Sequence, residues 1–109
     1  MANTFKLKTK ANVGVTPVGI YTAPAATTTV VIGITMANTS GSGVNVGVGI
    51  TRAGTTEDVK LLKNAPVPQG SSLEFMAGNK IVLEATDTVT VDSDTNNSID
   101  AALTIMEIT

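Results

Sequence analysis

Apolar side chains in this chain recur at every second position, in segments of five to twelve residues, and nowhere keep a helical spacing. Val44, Val46, Val48 and Ile50 alternate with Asn45, Gly47, Gly49 and Thr51. Such a period belongs to the pleated strand, whose successive side chains point to opposite faces. Turn-forming clusters rich in Gly, Pro, Asn, Asp and Ser punctuate the segments about every ten residues, the pattern of a sandwich or small barrel. The reading is therefore a single all-β domain over 1–109: an antiparallel β-sandwich, Ig-like or jelly-roll-like, of about eight short strands.

Along the chain, Phe5 and Leu7 alternate with Lys6, Lys8 and Lys10, predicting a strand with one wet, lysine-bearing face. Ile20 to Pro24 follows a turn at Gly14 to Gly19. Thr27 to Asn38 is the expected centre of a sheet, with Val30, Ile32, Ile34 and Met36 on one face and Thr29, Val31, Gly33 and Thr35 on the other. Thr39 to Gly43 has the composition of a hairpin connection, which predicts that the flanking strands pair with each other. A polar turn over Arg52 to Asp58 leads to a short strand at Val59 to Lys63, and Pro66 to Gly70 forms a rigid link. Leu73, Phe75 and Met76 mark a further strand, Ala77 to Asn79 a turn, then strands at Ile81 to Leu83, Thr88 to Val91 and Ile99 to Ile108. The last has apolar residues on both parities, which calls for a second layer.

Composition narrows the chemistry. There is no cysteine and no histidine, so disulfides, thiolate catalysis, the commonest proton shuttle and the commonest transition-metal ligand are all missing. The serines therefore lack a histidine base, and Glu57–Asp58 and Glu84–Asp87 are turn acids without the separated environments that acid–base catalysis requires. A serine–lysine or paired-carboxylate hydrolase is the least favoured reading, and the expectation is a non-enzymatic protein with no cofactor. Net charge −2 and seven scattered basic residues do not make a nucleic-acid footprint, and no apolar run is long enough to span a membrane. No apolar leader follows Met1, so synthesis in a cytoplasm is expected.

Asp92, Asp94 and Asn96 place oxygen ligands at alternate positions, as the start of a calcium loop does. The pattern then departs, with Asn97 where the turning glycine belongs and Leu103 where the bidentate glutamate belongs. These three are a weak metal candidate against an ordinary polar loop. Gly41, Gly43, Gly47 and Gly49 lack the lysine, serine and helix of a phosphate loop. Gly47 and Gly49 instead suggest close approach by another backbone, either a neighbouring subunit or a bulge within the chain. Lys6, Lys8 and Lys10 suit either an acidic partner or protection of an edge strand. With Leu103, Ile105, Met106 and Ile108 of the two-sided last strand, they form the candidate contact surface.

The segments Met1-Ala2-Asn3-Thr4-Phe5-Lys6, Ile20-Tyr21-Thr22-Ala23-Pro24, Val30-Val31-Ile32-Gly33 and Ala37-Asn38 resemble small virion proteins of tailed bacteriophages, especially marine ones. Pro66-Val67-Pro68, Ile81 to Ala85, Asp87 to Val91 and Met106 to Thr109 resemble the closing strands of that group, so the likeness covers nearly the whole chain. It implies a β-sandwich present in many copies on the virion, a homo-oligomer or a partner of capsid, neck or tail proteins. A capsid decoration or cement protein and a neck or tail adaptor both fit, and the resemblance carries over no catalytic residue. The alternative is a host-surface or glycan-binding module of a tail fibre or spike, using loops such as Thr39 to Gly43 and Asp92 to Ser98. Those loops lack the aromatic platforms common in carbohydrate sites.

Overall fold

The computed structural model describes residues 3–52, 57–75 and 80–109. Its strands are β1 (Asn3–Val13), β2 (Val18–Thr22), β3 (Thr28–Asn38), β4 (Val44–Arg52), β5 (Glu57–Val67), β6 (Ser72–Phe75), β7 (Ile81–Leu83), β8 (Thr88–Ser93) and β9 (Ile99–Ile108). These nine among the described residues agree with the expected count of about eight, and two of them share one neighbour, β3: β7 pairs Thr29–Val31 and β6 pairs Ile34–Ala37. The expected turn over Ala77 to Asn79, Met76 and the middle of the Arg52 to Asp58 turn lie outside the described residues.

Every ladder is antiparallel, in a five-stranded sheet ordered β1-β9-β3-β6, with β7 also on β3, and a four-stranded sheet ordered β2-β8-β4-β5. The pairings β1 with β9, β2 with β8, β3 with β6 and β7, and β4 with β5 are nested. The chain is thus one long hairpin rolled up so that successive pairs alternate between the two sheets. That is a jelly roll, one of the all-β solutions to the edge-strand problem.

One expectation fails here for an instructive reason: β3 and β4 do not pair, but sit in opposite sheets. The turn-rich Thr39 to Gly43 segment arches across the sandwich, held by the buried Asn38 side chain. Its Nδ2 donates to Ser42 O at 2.8 Å and Val67 O at 2.9 Å, and its Oδ1 accepts from Ser40 N and Ser40 Oγ at 2.8 Å each. Composition announces a turn but not which sheet the chain enters afterwards.

A second correction concerns β3, where the register against β9 slips between Val31 and Gly33. The bulge changes parity, so the expected single face of Val30, Ile32, Ile34 and Met36 is split: Ile34 and Met36 are buried with Thr29 and Val31, while Val30 and Ile32 are half-buried. Inserting one extra residue is what a bulge does. β5 runs further than Val59 to Lys63 and includes Pro66, which an edge strand tolerates because it has a partner on one side only.

The core is aliphatic: Val31, Ile34, Met36, Val46, Val48, Leu83, Val91, Ile99, Leu103 and Ile105 interleave between the sheets. At one end Arg52 clamps the 84–87 turn, with Nη2 2.6 Å from Glu84 Oε1 and Nε 3.0 Å from the buried Asp87 Oδ2. The Nε contact is charge attraction off the N–H axis, since that nitrogen has no aligned hydrogen bond. Both acidic partners raise the Arg52 pKa, Asp87 most.

Candidate interaction surface

The two outer faces of the sandwich differ in chemistry. Thr22, Thr51, Thr88, Thr90, Asn45 and Asp92 decorate the outside of the four-stranded sheet, which is polar. On the five-stranded sheet the registers Phe5↔Met106, Met106↔Val30 and Val30↔Val82 put four apolar side chains in one row across β1, β9, β3 and β7. Phe5 is 69% exposed, Leu7 65% and Val82 60%, while Met106, Val30 and Ile108 are half-buried. Exposed apolar side chains this large, joined by half-buried ones into one row, are the arrangement expected of an interaction surface.

β1 forms the margin of that sheet. Its alternation has the expected period and its lysine face stays largely wet, but Phe5 and Leu7 point outward as well, while Lys6, Lys8 and Lys10 lie on the side of Ile105, Leu103 and Ala101. The second sheet does not cover β1 there, so a charged face is tolerated at the rim. Lys6 Nζ reaches Glu107 Oε1 at 2.9 Å, and Glu107 Oε2 accepts the Tyr21 hydroxyl proton at 2.6 Å; Tyr21 Oη also lies 2.9 Å from Thr29 Oγ1. This cluster joins β9, β1, β2 and β3 at one end of the sandwich. Burial, then the bond to Glu107, pushes the Tyr21 pKa up to about 12. The Tyr21 hydrogen bond, then Lys6, holds the Glu107 carboxyl below the usual carboxylate range. Glu107 was not singled out from sequence, although an acid at an otherwise apolar strand parity is a visible signal.

The other candidate residues are dispersed. Leu103 and Ile105 are fully buried in the core and serve packing, while Met106 and Ile108 emerge on the outer face. Alternation at Ala101, Leu103, Ile105 and Glu107 settles which parity looks inward. Gly47 and Gly49 do sit under another backbone, but it is this chain's own β5. A Cβ at Gly47 would collide with Asp92 Oδ1 and meet Leu62 O at 3.2 Å, and one at Gly49 would meet Val59 O at 3.0 Å. Register slips in the β4–β5 ladder let β5 fold over that face.

Asp92 leaves the loop to stand on β8 beside Gly47. Asp94 Oδ1 accepts from Asn45 N and Thr95 Oγ1 at 3.1 Å each, and Asn96 lies against Gly14. Ser93 and Ser98 hydroxyls, 2.8 Å apart, both bond Thr95 O and tie the loop to itself. Among the described residues no three acidic groups come together in a metal-holding cluster.

No family model matches the chain, and no curated protein matches it in sequence. Solved structures share its fold. A chain from the Bacillus endospore appendages, described as disulfide-linked pili, is 17% identical with a TM-score of 0.57, covering 99% of this chain and 87% of that one. A chain of the T13 infectious bursal disease virus particle is 12% identical with a TM-score of 0.60, over 96% of this chain and 30% of that chain. A chain of the cyanophage Pam1 capsid asymmetric unit is 14% identical with a TM-score of 0.53, over 96% of this chain and 84% of that one.

Proposed function

We propose that this chain is a non-enzymatic structural part of a bacteriophage virion, present in many copies as a capsid decoration or cement protein or as a neck or tail adaptor. The observation that carries the reading is a jelly roll with a row of apolar side chains on one outer face, set against a polar opposite face. A two-layer domain already buries its core, so a row such as Phe5, Met106, Val30 and Val82 is surplus to folding and available to a neighbour. Likeness to a cyanophage capsid chain over most of that chain's length supports the same reading. The endospore pilus shares the fold as well, but its subunits are described as disulfide-linked, and a chain without cysteine cannot assemble that way.

The test is light scattering of the purified protein with and without the capsid and neck proteins encoded beside it. A defined oligomer or co-assembly is expected, and it should be lost in the double variant Phe5→Ser, Leu7→Ser while the fold persists. A wild-type monomer indifferent to every virion protein would refute the proposal.

A further inference from the structure

We infer that β1 is a docking edge for an extended segment of a partner protein in which acidic and apolar residues alternate. The inference rests on the virion reading only for where such a partner would come from.

Three edge strands end the two sheets on the sides away from β6 and β7, and two of them resist strand addition. β2 has only five residues. β5 carries Pro66, a positive φ at Asn64 and two register breaks, devices that spoil a template. β1 carries none of these over Asn3–Lys10, where eight consecutive residues stay in unbroken antiparallel register with β9. Its first irregularity comes after Lys10, next to the positive φ of Asn12. In an antiparallel ladder, alternate residues of an edge strand turn their N–H and C=O groups away from the sheet. β1 therefore presents a regular row of backbone groups that find no ladder partner among the described residues.

Its side chains specify what pairs with that row. Lys6, Lys8 and Lys10 lie on one face; among the described residues only Lys6 has an ion-pair partner. On the other face Phe5 and Leu7 have, among the described residues, a cross-strand neighbour on the β9 side only. A strand added to β1 places residues opposite both faces at once. Acidic residues are favoured opposite the lysines, and apolar residues opposite Phe5 and Leu7. Two copies of β1 paired antiparallel with like faces together would instead set lysine against lysine, which is destabilising. Lysine alone would be a protective device, but a strand built only for protection has no use for two large, mostly exposed apolar side chains. The charges thus choose the partner, while backbone pairing holds it.

The probe is a labelled synthetic peptide of about ten residues, enough to span Asn3–Lys10, with strictly alternating Glu and Val. Fluorescence anisotropy measures binding to the intact protein, and amide hydrogen exchange locates it. Saturable binding that weakens with salt and protects amides of Asn3–Lys10 supports the inference. The double variant Lys8→Glu, Lys10→Glu should bind at least about tenfold more weakly and should prefer a Lys/Val peptide. Neither lysine forms an ion pair with Glu107, but the Lys8 charge does act on it, so a thermal melt checks the fold. Equal binding of a peptide with all Glu in one half and all Val in the other, protection elsewhere, or no saturable binding would overturn it. The block-peptide comparison uses the wild-type chain alone. Co-assembly with virion proteins that survives the lysine reversal would overturn the edge and leave the virion reading standing. Peptide docking at β1 without any co-assembly would do the reverse.

Discussion

Asn38→Ala tests what holds the β3–β4 arch, and through it the topology. The substitution removes donors from Ser42 O and Val67 O and the acceptor used by Ser40 N and Ser40 Oγ. Groups of Ser40 and Ser42 lie near solvent and can rehydrate, so each of those bonds costs only a fraction of about 1 kcal/mol. Val67 O differs, because Val67 is buried and its carbonyl loses the Asn38 donor away from water, which costs about 1–3 kcal/mol. The total is about 3 kcal/mol, a large share of the roughly 5–15 kcal/mol that stabilises a small domain. For a chain of this size it should lower Tm by roughly 10–20 °C. Thermal unfolding followed by circular dichroism measures this, and faster amide exchange at Ser40 should accompany it. A Tm within a few degrees of wild type, with Ser40 still protected, would refute the assignment.

Other expectations follow from the core and the charged cluster. Leu103→Ala opens a void between the sheets and should cost about 2–5 kcal/mol, checked by chemical denaturation, whereas Ile108→Ala on the outer face should cost far less. The single tyrosine gives a clean ultraviolet titration, with phenolate appearing near pH 12 and not near the ordinary value of 10. Because the folded pKa is raised, Tyr21's share of stability is complete below the ordinary value and is lost as pH rises through about 12. For Glu107 the sign reverses. Its folded pKa is lowered from 4.5, so its share is present above that value and lost as pH falls through the lower one. Glu107→Gln should therefore flatten the acid limb of the stability profile, measured as Tm against pH.

Most of the strands were legible because each keeps its two-residue period over several pairs, and the turns because Gly, Pro, Asn and Ser cluster between them. What escaped was relational. The β3 alternation reads as unbroken until the slip against β9 adds a residue near Ile32, and nothing local to Val31-Ile32-Gly33 dictates where that slip falls. In β1, period two is compatible with either face turned inward. Only the register with β9 shows that the lysines share a face with Leu103 and Ile105. The apolar row escaped for the same reason, since Phe5, Val30, Val82 and Met106 are scattered in sequence and meet only through three separate ladders. Gly47 and Gly49 did signal backbone proximity, but the identity of that backbone, β5, depends on tertiary packing.

The rolled hairpin also separates the residues that hold the fold from those free to meet a partner. In β9, Ala101, Leu103 and Ile105 point into the sandwich while Ala102, Met106 and Ile108 lie on the outside. Changes on the outer parity leave core packing intact, so such a surface can be altered without unfolding the domain. Glu107 is the exception, because it sits on the inner parity yet ties β1 to the sandwich through Lys6. Loss of that tie would loosen the edge whose backbone is proposed to receive a partner strand, while leaving the β3–β9 ladder in place. Association should therefore respond more strongly to Glu107→Gln than to Leu103→Ala at temperatures where both variants are folded, although Leu103 is the more deeply buried.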